Sequence, residues 1–175
     1  MIAPLYCQTM ADYNGWMNSK IYHAAATLSD EARKRDVGAF FISLHGTLNH
    51  LLVGDSMWIS RFAPSEKLPV PASQISALNQ ELTSDFAQLL DWRRTLDDAI
   101  NSMAAEQTQA ILDGPLVYKR MNGAEMRTPY AAAMMHFFNH QTHHRGQCTT
   151  ILFQLGVDVG ATDLISMPSV RDDAK

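Results

Sequence analysis

The sequence predicts an all-α chain, a four-helix bundle with one small β-hairpin between the third and fourth helices. Three observations predict it. Four segments of about twenty residues or more carry apolar side chains at three- and four-residue spacing. A single Asn122-Gly123 pair, a strong short hairpin signal, lies between two short stretches of different texture. Pro129 and Gly156 bracket the last helical segment, matching the preference for Pro at a helix start and Gly just past its end.

The first helix is expected from about Leu5 to Leu28, where Tyr13, Trp16, Met17, Ile21 and Ala24 fall on one side. Ser29-Asp30-Glu31 reads as its end and a short turn of new helix. The second runs from about Phe40 to Phe62 and stops before Pro64; Pro69 and Pro71 then mark a loop. The third spans about Ile75 to Met103, with Leu78, Leu82, Phe86, Leu89, Trp92, Leu96 and Ile100 in register and Ser73 or Ser76 placed to cap it. Leu116-Val117-Tyr118 and Glu125-Met126-Arg127 flank the Asn-Gly turn. The fourth helix covers about Tyr130 to Leu155, and the tail from Gly160 is expected to be irregular. Four such helices suit a bundle, with a crossover in the long excursion between the third and fourth. Trp16, Trp58 and Trp92 are expected to pack it.

A chain of 175 residues suits one domain, taken here as 1–175, and its hydrophobic fraction of 46% can fill a core. The charged fraction is only 18%, which favours burial of some surface against a partner, and hence an oligomer. The net charge of −4 leaves no basic excess to hold nucleic acid, and no polybasic stretch addresses anionic lipid. No segment reaches the roughly 20 apolar residues of a membrane span. Met1 to Met10 lack the basic start and apolar run of a signal peptide, and Cys7 and Cys148 form no CxxC pattern. A cytoplasmic setting is expected.

Four of the seven histidines lie between His136 and His144. On a helical wheel Ala133, Phe137, Cys148, Ile151 and Leu155 form an apolar side. His140 and His144 fall at its edge and in its middle, while His136 and His143 lie towards its polar border. Residues four apart project from successive turns of one face, so two neutral imidazoles can reach one ion at roughly 2.0–2.1 Å. The device is that of the two histidines in HExxH, without the glutamate. A single inward histidine is more often a hydrogen-bonded core residue, but two buried imidazoles on one apolar face need partners.

A third ligand should come from another helix. The second helix offers His45, His50 and Asp55, and the wheel does not choose among them. His50 shares a stripe with Ser43, Thr47 and Gly54, small residues that leave room for a site. Asp55 faces inward, where a carboxylate requires a cation or a donor. His45 reads as a structural or surface histidine, and His23 as a charge partner for the end of the first helix.

Three segments resemble the DinB (damage-inducible) superfamily. They are Tyr13-Asn14-Gly15-Trp16-Met17-Asn18, Leu44-His45-Gly46-Thr47-Leu48-Asn49-His50-Leu51-Leu52 continuing to Asp55 and Trp58, and Asn139-His140-Gln141-Thr142-His143-His144-Arg145-Gly146-Gln147. The resemblance implies an up-up-down-down bundle, a homodimer, and a divalent metal held by His50, His140 and His144. Imidazole ligands suit zinc, nickel, copper and iron alike, with zinc or nickel the expectation carried forward. Relatives with a known reaction include metal-dependent thiol transferases and a mycothiol-dependent isomerase.

Three histidines leave an open position for water or substrate. One reading is an enzyme, a metal-dependent thiol transferase or hydrolase acting on a small molecule or thiol, with Asp55 and more weakly Gln147 orienting the ligands. The alternative is a non-catalytic, metal-braced dimeric binding or stress-response module. Ser43 and Cys148 are nucleophiles on paper, but Cys148 sits on the apolar side and reads as a small core residue.

Overall fold

The structure is a computed structural model that describes residues 2–170; Met1 and residues 171–175 of the expected domain lie outside them. It is mostly helical. In chain order come α1 (Pro4–Ala26), α2 (Asp30–Lys34), α3 (Leu44–Phe62), α4 (Phe86–Ala105), α5 (Gln109–Asp113), β1 (Pro115–Lys119), β2 (Glu125–Pro129) and α6 (Tyr130–Gln154). The strands form one antiparallel two-stranded sheet, with Val117 opposite Arg127. Among the described residues no helix is long and apolar enough to cross a membrane.

α1 and α3 each pack against both α4 and α6. Pair contacts fix the directions. Tyr6 meets Phe138 and Asn14 meets Arg145, so α1 and α6 run parallel. Tyr22 stacks on Phe86 while Asn14 reaches Asp97, so α1 and α4 run antiparallel. Asn49 binds Thr83 and Asp55 binds Arg93, so α3 and α4 are parallel. Phe62 packs on Tyr130 and His50 meets His144, so α3 and α6 are antiparallel. The order is therefore up-down-down-up, which corrects the up-up-down-down order implied by resemblance. The cause is the connection over 63–85. It returns along the whole of α3, a helix of 19 residues and hence ~28 Å long. The crossover expected before the last helix lies here instead, one connection earlier.

That same connection explains the third helix, which begins at Phe86 rather than Ile75. Leu78 and Leu82 have helical spacing, but the Leu82 and Thr83 amides donate to the Asn49 carboxamide oxygen at 2.8 and 3.2 Å. His45 Nε2 bonds the Thr83 carbonyl at 2.9 Å. With the Leu82 and Thr83 donors held by α3, the segment after the turn at Leu78 forms no helix until Asp85 caps α4 through the Ala87 amide. Ser73 and Ser76 cap nothing. The second helix also starts late: Ser43 caps it by accepting from the Gly46 amide, so Phe40–Ile42 form a turn instead. α2 begins at the predicted Ser29, whose hydroxyl accepts from Ala32. The hairpin loop is wider than a two-residue turn. Gly123 has φ of 82° but Asn122 does not adopt positive φ, and the Arg120 and Ala124 backbones close the loop.

Two large apolar clusters and a small third one of Val53, Val70 and Ile75 fill the interior. One gathers Met17, Ile21, Leu48, Leu51, Leu89 and Leu152; the other gathers Ile59, Ile100, Met103, Met134, Phe137 and Phe138. Trp16 and Trp92 pack on the first and Trp58 on the second, as expected. Buried Asn14, Asn18, Asp55, Arg93, Gln141 and Arg145 form a polar group among the same helices. Arg93 bonds Asp55 at 2.5 Å and Asp97 at 3.0 Å, and Gln141 donates to Asp55 at 3.0 Å. Asn14 and Asn18 donate to Asp97, and Arg145 donates to Asn14. Burial opposes the Arg93 charge, but Asp97 and Asp55 more than offset it and push its pKa up. The irregular tail leans on α1, where Tyr13 donates to the Thr162 carbonyl at 2.6 Å and Met167 is buried.

Candidate metal centre

His140 and His144 leave α6 one turn apart, and His50 faces them from the antiparallel α3. The His50 Nε2 atom lies 3.3 Å from His140 Nε2 and 3.2 Å from His144 Nε2. One ligand atom from each of the three lies within 4.8 Å of the others. Two donors at 2.0–2.1 Å from a tetrahedral ion stand about 3.3–3.4 Å apart. Two edges of the cluster, those from His50, therefore already have the spacing of such a shell.

The far side of each ring shows how the triad is aimed. His50 Nδ1 donates to the Leu78 carbonyl at 2.7 Å. Leu78 lies in a turn just ahead of Leu82 and Thr83, which Asn49 and His45 hold against α3. His144 Nδ1 donates to the Gln147 carboxamide oxygen at 2.7 Å, one turn further along α6. With the proton fixed on Nδ1, Nε2 presents a lone pair inward, the arrangement typical of metal-ligating histidines. His140 Nδ1 is buried without a partner.

Burial lowers the pKa of all three rings. For His50, the Leu78 bond and the Asp55 charge oppose it; for His144, the Gln147 bond opposes it and the neighbouring His50 and His143 add to it. His140 falls furthest, to about 3, first through burial and then through the neighbouring His144, His50, His136 and His143. The triad is therefore neutral near pH 7, the state in which imidazole can coordinate a cation.

Close approach and cover come from residues outside the predicted set. Gly54 faces the ring of His140, and a Cβ there would stand 2.9 Å from its Cε1 atom. Phe41 stacks on His50 at 3.9 Å between centroids, tilted by 17°, and meets His144 edge-on. It is held by a tight turn in which Ile42 takes φ of 69°, unusual for a β-branched residue and a form of stored strain. Gly46 permits this turn, since a Cβ there would lie 2.1 Å from the Phe41 carbonyl oxygen. Gly54 was legible as a small residue on the His50 stripe. Phe41 carried no signal, because it was read as part of a helix.

Other expectations resolve individually. Asp55 orients no histidine by hydrogen bond; it is committed to Arg93 and Gln141, partners on two other helices. Gln147, the weaker candidate, does make the orienting contact. His45 is buried and structural, while His136 and His143 are exposed at the border of the site. Ser43 is a helix cap. Cys148 is wholly buried and burial pushes its thiol up to about 12, which suits a core residue and not a nucleophile.

A cavity of about 660 Å³ opens beside His50 and His140. It runs between α3, α6 and the hairpin, and its walls include Trp58, Arg61, Tyr118 and Arg120. This volume suits a small organic ligand.

Comparison with known proteins identifies the family and a similar fold. The family model described as "DinB family" matches residues 1–173. The chain is 25% identical over 152 residues to Protein DinB of Bacillus subtilis (strain 168), covering 87% of each. Its structure is similar to that of a DinB-like protein from Bacillus cereus ATCC 10987, with a TM-score of 0.56 and 21% identity, over 83% of this chain and 89% of that one.

Proposed function

The chain belongs to the DinB family, and from that premise we propose that it is a divalent-metal protein whose ligands are His50, His140 and His144. On this reading its scaffold is a four-helix bundle and its activity is thiol transfer or hydrolysis on a small molecule. One observation carries the proposal. Three neutral imidazoles converge through Nε2 atoms, and the Nδ1 bonds of His50 and His144 leave two of those atoms as acceptors 3.2 Å apart.

A bound ion would hold a thiol as thiolate or lower the pKa of a water in its open position. The chain's own residues do the rest. Leu78 and Gln147 fix the proton on Nδ1 of His50 and His144, so those rings need no tautomer change to coordinate. Phe41 excludes water from the outer face of His50. Trp58 and the hairpin wall a reactant cavity directly beside His50 and His140. That adjacent cavity favours the enzyme over a purely bracing role, because a structural site is usually closed by four protein ligands. Zinc or nickel, a homodimeric assembly and a cytoplasmic setting complete the proposal.

Elemental analysis of protein purified without a histidine tag tests the ligands. Metal content should collapse in His50→Ala, His140→Ala and His144→Ala, and persist in His136→Ala, His143→Ala and His45→Ala. Full occupancy in His140→Ala or His144→Ala sinks the assignment. A screen of thiols and electrophiles against loaded and metal-free protein then tests the activity, and turnover that does not depend on the metal rejects it.

A further inference from the structure

The cavity beside the triad ends in an unusual wall. Arg61 stands near the end of α3 and Arg120 at the tip of the hairpin, and both line it. Arg61 lies over Trp58 at 4.5 Å and over Tyr118 at 4.6 Å, so its guanidinium is held by two rings against the cavity. A second hollow of about 410 Å³ continues from the first past Arg61 and Arg120, adding Lys119 with Ser60, Ser73 and Ser76. Among the described residues no acidic side chain lines either space. Among the described residues none of these three cations is in an ion pair. In a chain of net charge −4, this is a local concentration of unanswered positive charge.

We propose that Arg61 and Arg120 bind an oxyanion carried by the far end of the substrate, so that the cavity takes an elongated acid whose apolar body spans from the triad to the guanidinium pair. The proposal rests on the metal reading for the near end only.

Geometry sets the span. Trp58, on which Arg61 rests, is two helical turns beyond His50, about 12 Å along the axis. Met57, Trp58, Leu78 and Ala133 line the stretch between and offer mostly apolar surface. Two planar guanidinium groups suit the paired oxygens of a carboxylate or phosphate better than a point charge would. Burial, and then the nearby Arg120 charge, hold the pKa of Arg61 below the usual arginine range, with Tyr118 opposing them. A bound anion would relieve that cost. The hairpin thereby acquires a task, since it brings Tyr118 and Arg120 over the end of α3.

The test uses three probes with one chain length: ω-mercaptooctanoate, its phosphonate analogue and neutral ω-mercaptooctanol. Binding is measured by calorimetry on zinc-loaded and metal-free protein. Either anion should bind at least tenfold more tightly than the alcohol, and the advantage should shrink as salt is raised. Arg61→Gln and Arg120→Gln should each remove most of that advantage, lowering anion affinity far more than alcohol affinity, while metal content stays unchanged. Arg120 is exposed on the hairpin, so its variant reads the site even if Arg61→Gln disturbs packing. Which anion leads tells whether the natural acid is a carboxylate or a phosphate, and either lead supports the proposal. Equal binding of anions and alcohol overturns it, as does an undiminished anion preference in Arg120→Gln. Metal-free protein should keep the anion preference at lower affinity. A wild-type chain that takes up no metal but keeps that preference would sink the metal reading and leave this one standing.

Discussion

Asp55 and His50 both leave α3 towards the interior, and Gln141 and His140 are neighbours on α6. The two buried groups built from these pairs are nevertheless satisfied in opposite ways. Around Asp55 each strong partner is answered: Arg93 takes one oxygen, Gln141 the other, and Asp97 returns a second carboxylate to Arg93. Around His50 two acceptors, the Nε2 atoms of His50 and His144, face each other at 3.2 Å, and His140 Nε2 lies 3.3 Å from His50 Nε2. The first arrangement supplies its own counter-charges, although Arg93 Nε and Gln141 Oε1 stay without a hydrogen bond, whereas the second leaves two acceptors in contact that a cation would answer. A buried polar side chain therefore says little by its burial alone; what its partners leave unanswered separates a structural network from a binding site.

The largest expected effect separates the two groups on stability. Asp55→Ala leaves Arg93 buried with half its counter-charge, and a broken buried pair costs about 3–5 kcal/mol. That is a large share of the 5–15 kcal/mol typical of a folded domain. His140→Ala removes a desolvated ring crowded by like groups and should change metal-free stability by no more than about 1 kcal/mol. Urea unfolding of both variants in the metal-free state decides this. Similar losses would show that the triad is as structural as the network.

A smaller effect should fall on the metal alone. Gly54→Ala places a Cβ where the His140 ring lies, and the ring must move. Metal affinity should fall roughly 10–100-fold, the range for losing a ligand's support. The fold should hold, because Ala favours a helix interior over Gly by about 1 kcal/mol. Chelator competition alongside a thermal melt measures both, and unchanged affinity would mean that His140 is not a ligand.

Smaller again is Gln147→Leu. It removes the acceptor that fixes the His144 proton on Nδ1, and affinity should drop about tenfold. His50, oriented by a backbone carbonyl, offers no such handle to a point substitution. A loss as great as that of His144→Ala would point to Gln147 itself as a ligand.

The contrast between the groups also marks what the sequence could show. His140 and His144 were legible because their relation is local: four residues on one helix set the spacing whatever the rest of the chain does. The choice of His50 over His45 was not local. It depends on how α3 meets α6, and it came from resemblance to known sequences. Asp55 was read correctly as inward but given the wrong task, because Arg93 lies 38 positions away on a helix whose direction relative to α3 differs from the expected one. The late start of α4 was hidden for the same reason. Leu78 and Leu82 carry a helical pattern, and only the distant Asn49 shows that the backbone donors there are taken. α1 and α6 came within two residues of their observed ends, since apolar period and terminal Pro or Gly specify them with little help from elsewhere.

The smallest expected effect concerns pH. Three ordinary histidines with pKa near 6.5 would lose roughly a thousandfold in combined neutral population between pH 7.5 and pH 5.5. Here burial lowers all three, and His140 to about 3, so the folded cluster stays neutral over much of that interval. Metal affinity should fall less than about tenfold over the same range, in place of the decline near 6.5 that free imidazoles would give. The stability of the metal-free fold should behave differently. Each ring's pKa is lower folded than unfolded, so the unfolded chain binds more protons as pH drops below about 6.5. The stability contributed by these rings is present above that value and is lost as pH falls towards the depressed folded values, near 3 for His140. Chelator competition at pH 7.5 and 5.5, paired with metal-free urea unfolding, tests both halves. A thousandfold fall in affinity together with flat stability would mean that the rings titrate as free histidines, and that burial does not hold them ready for a cation.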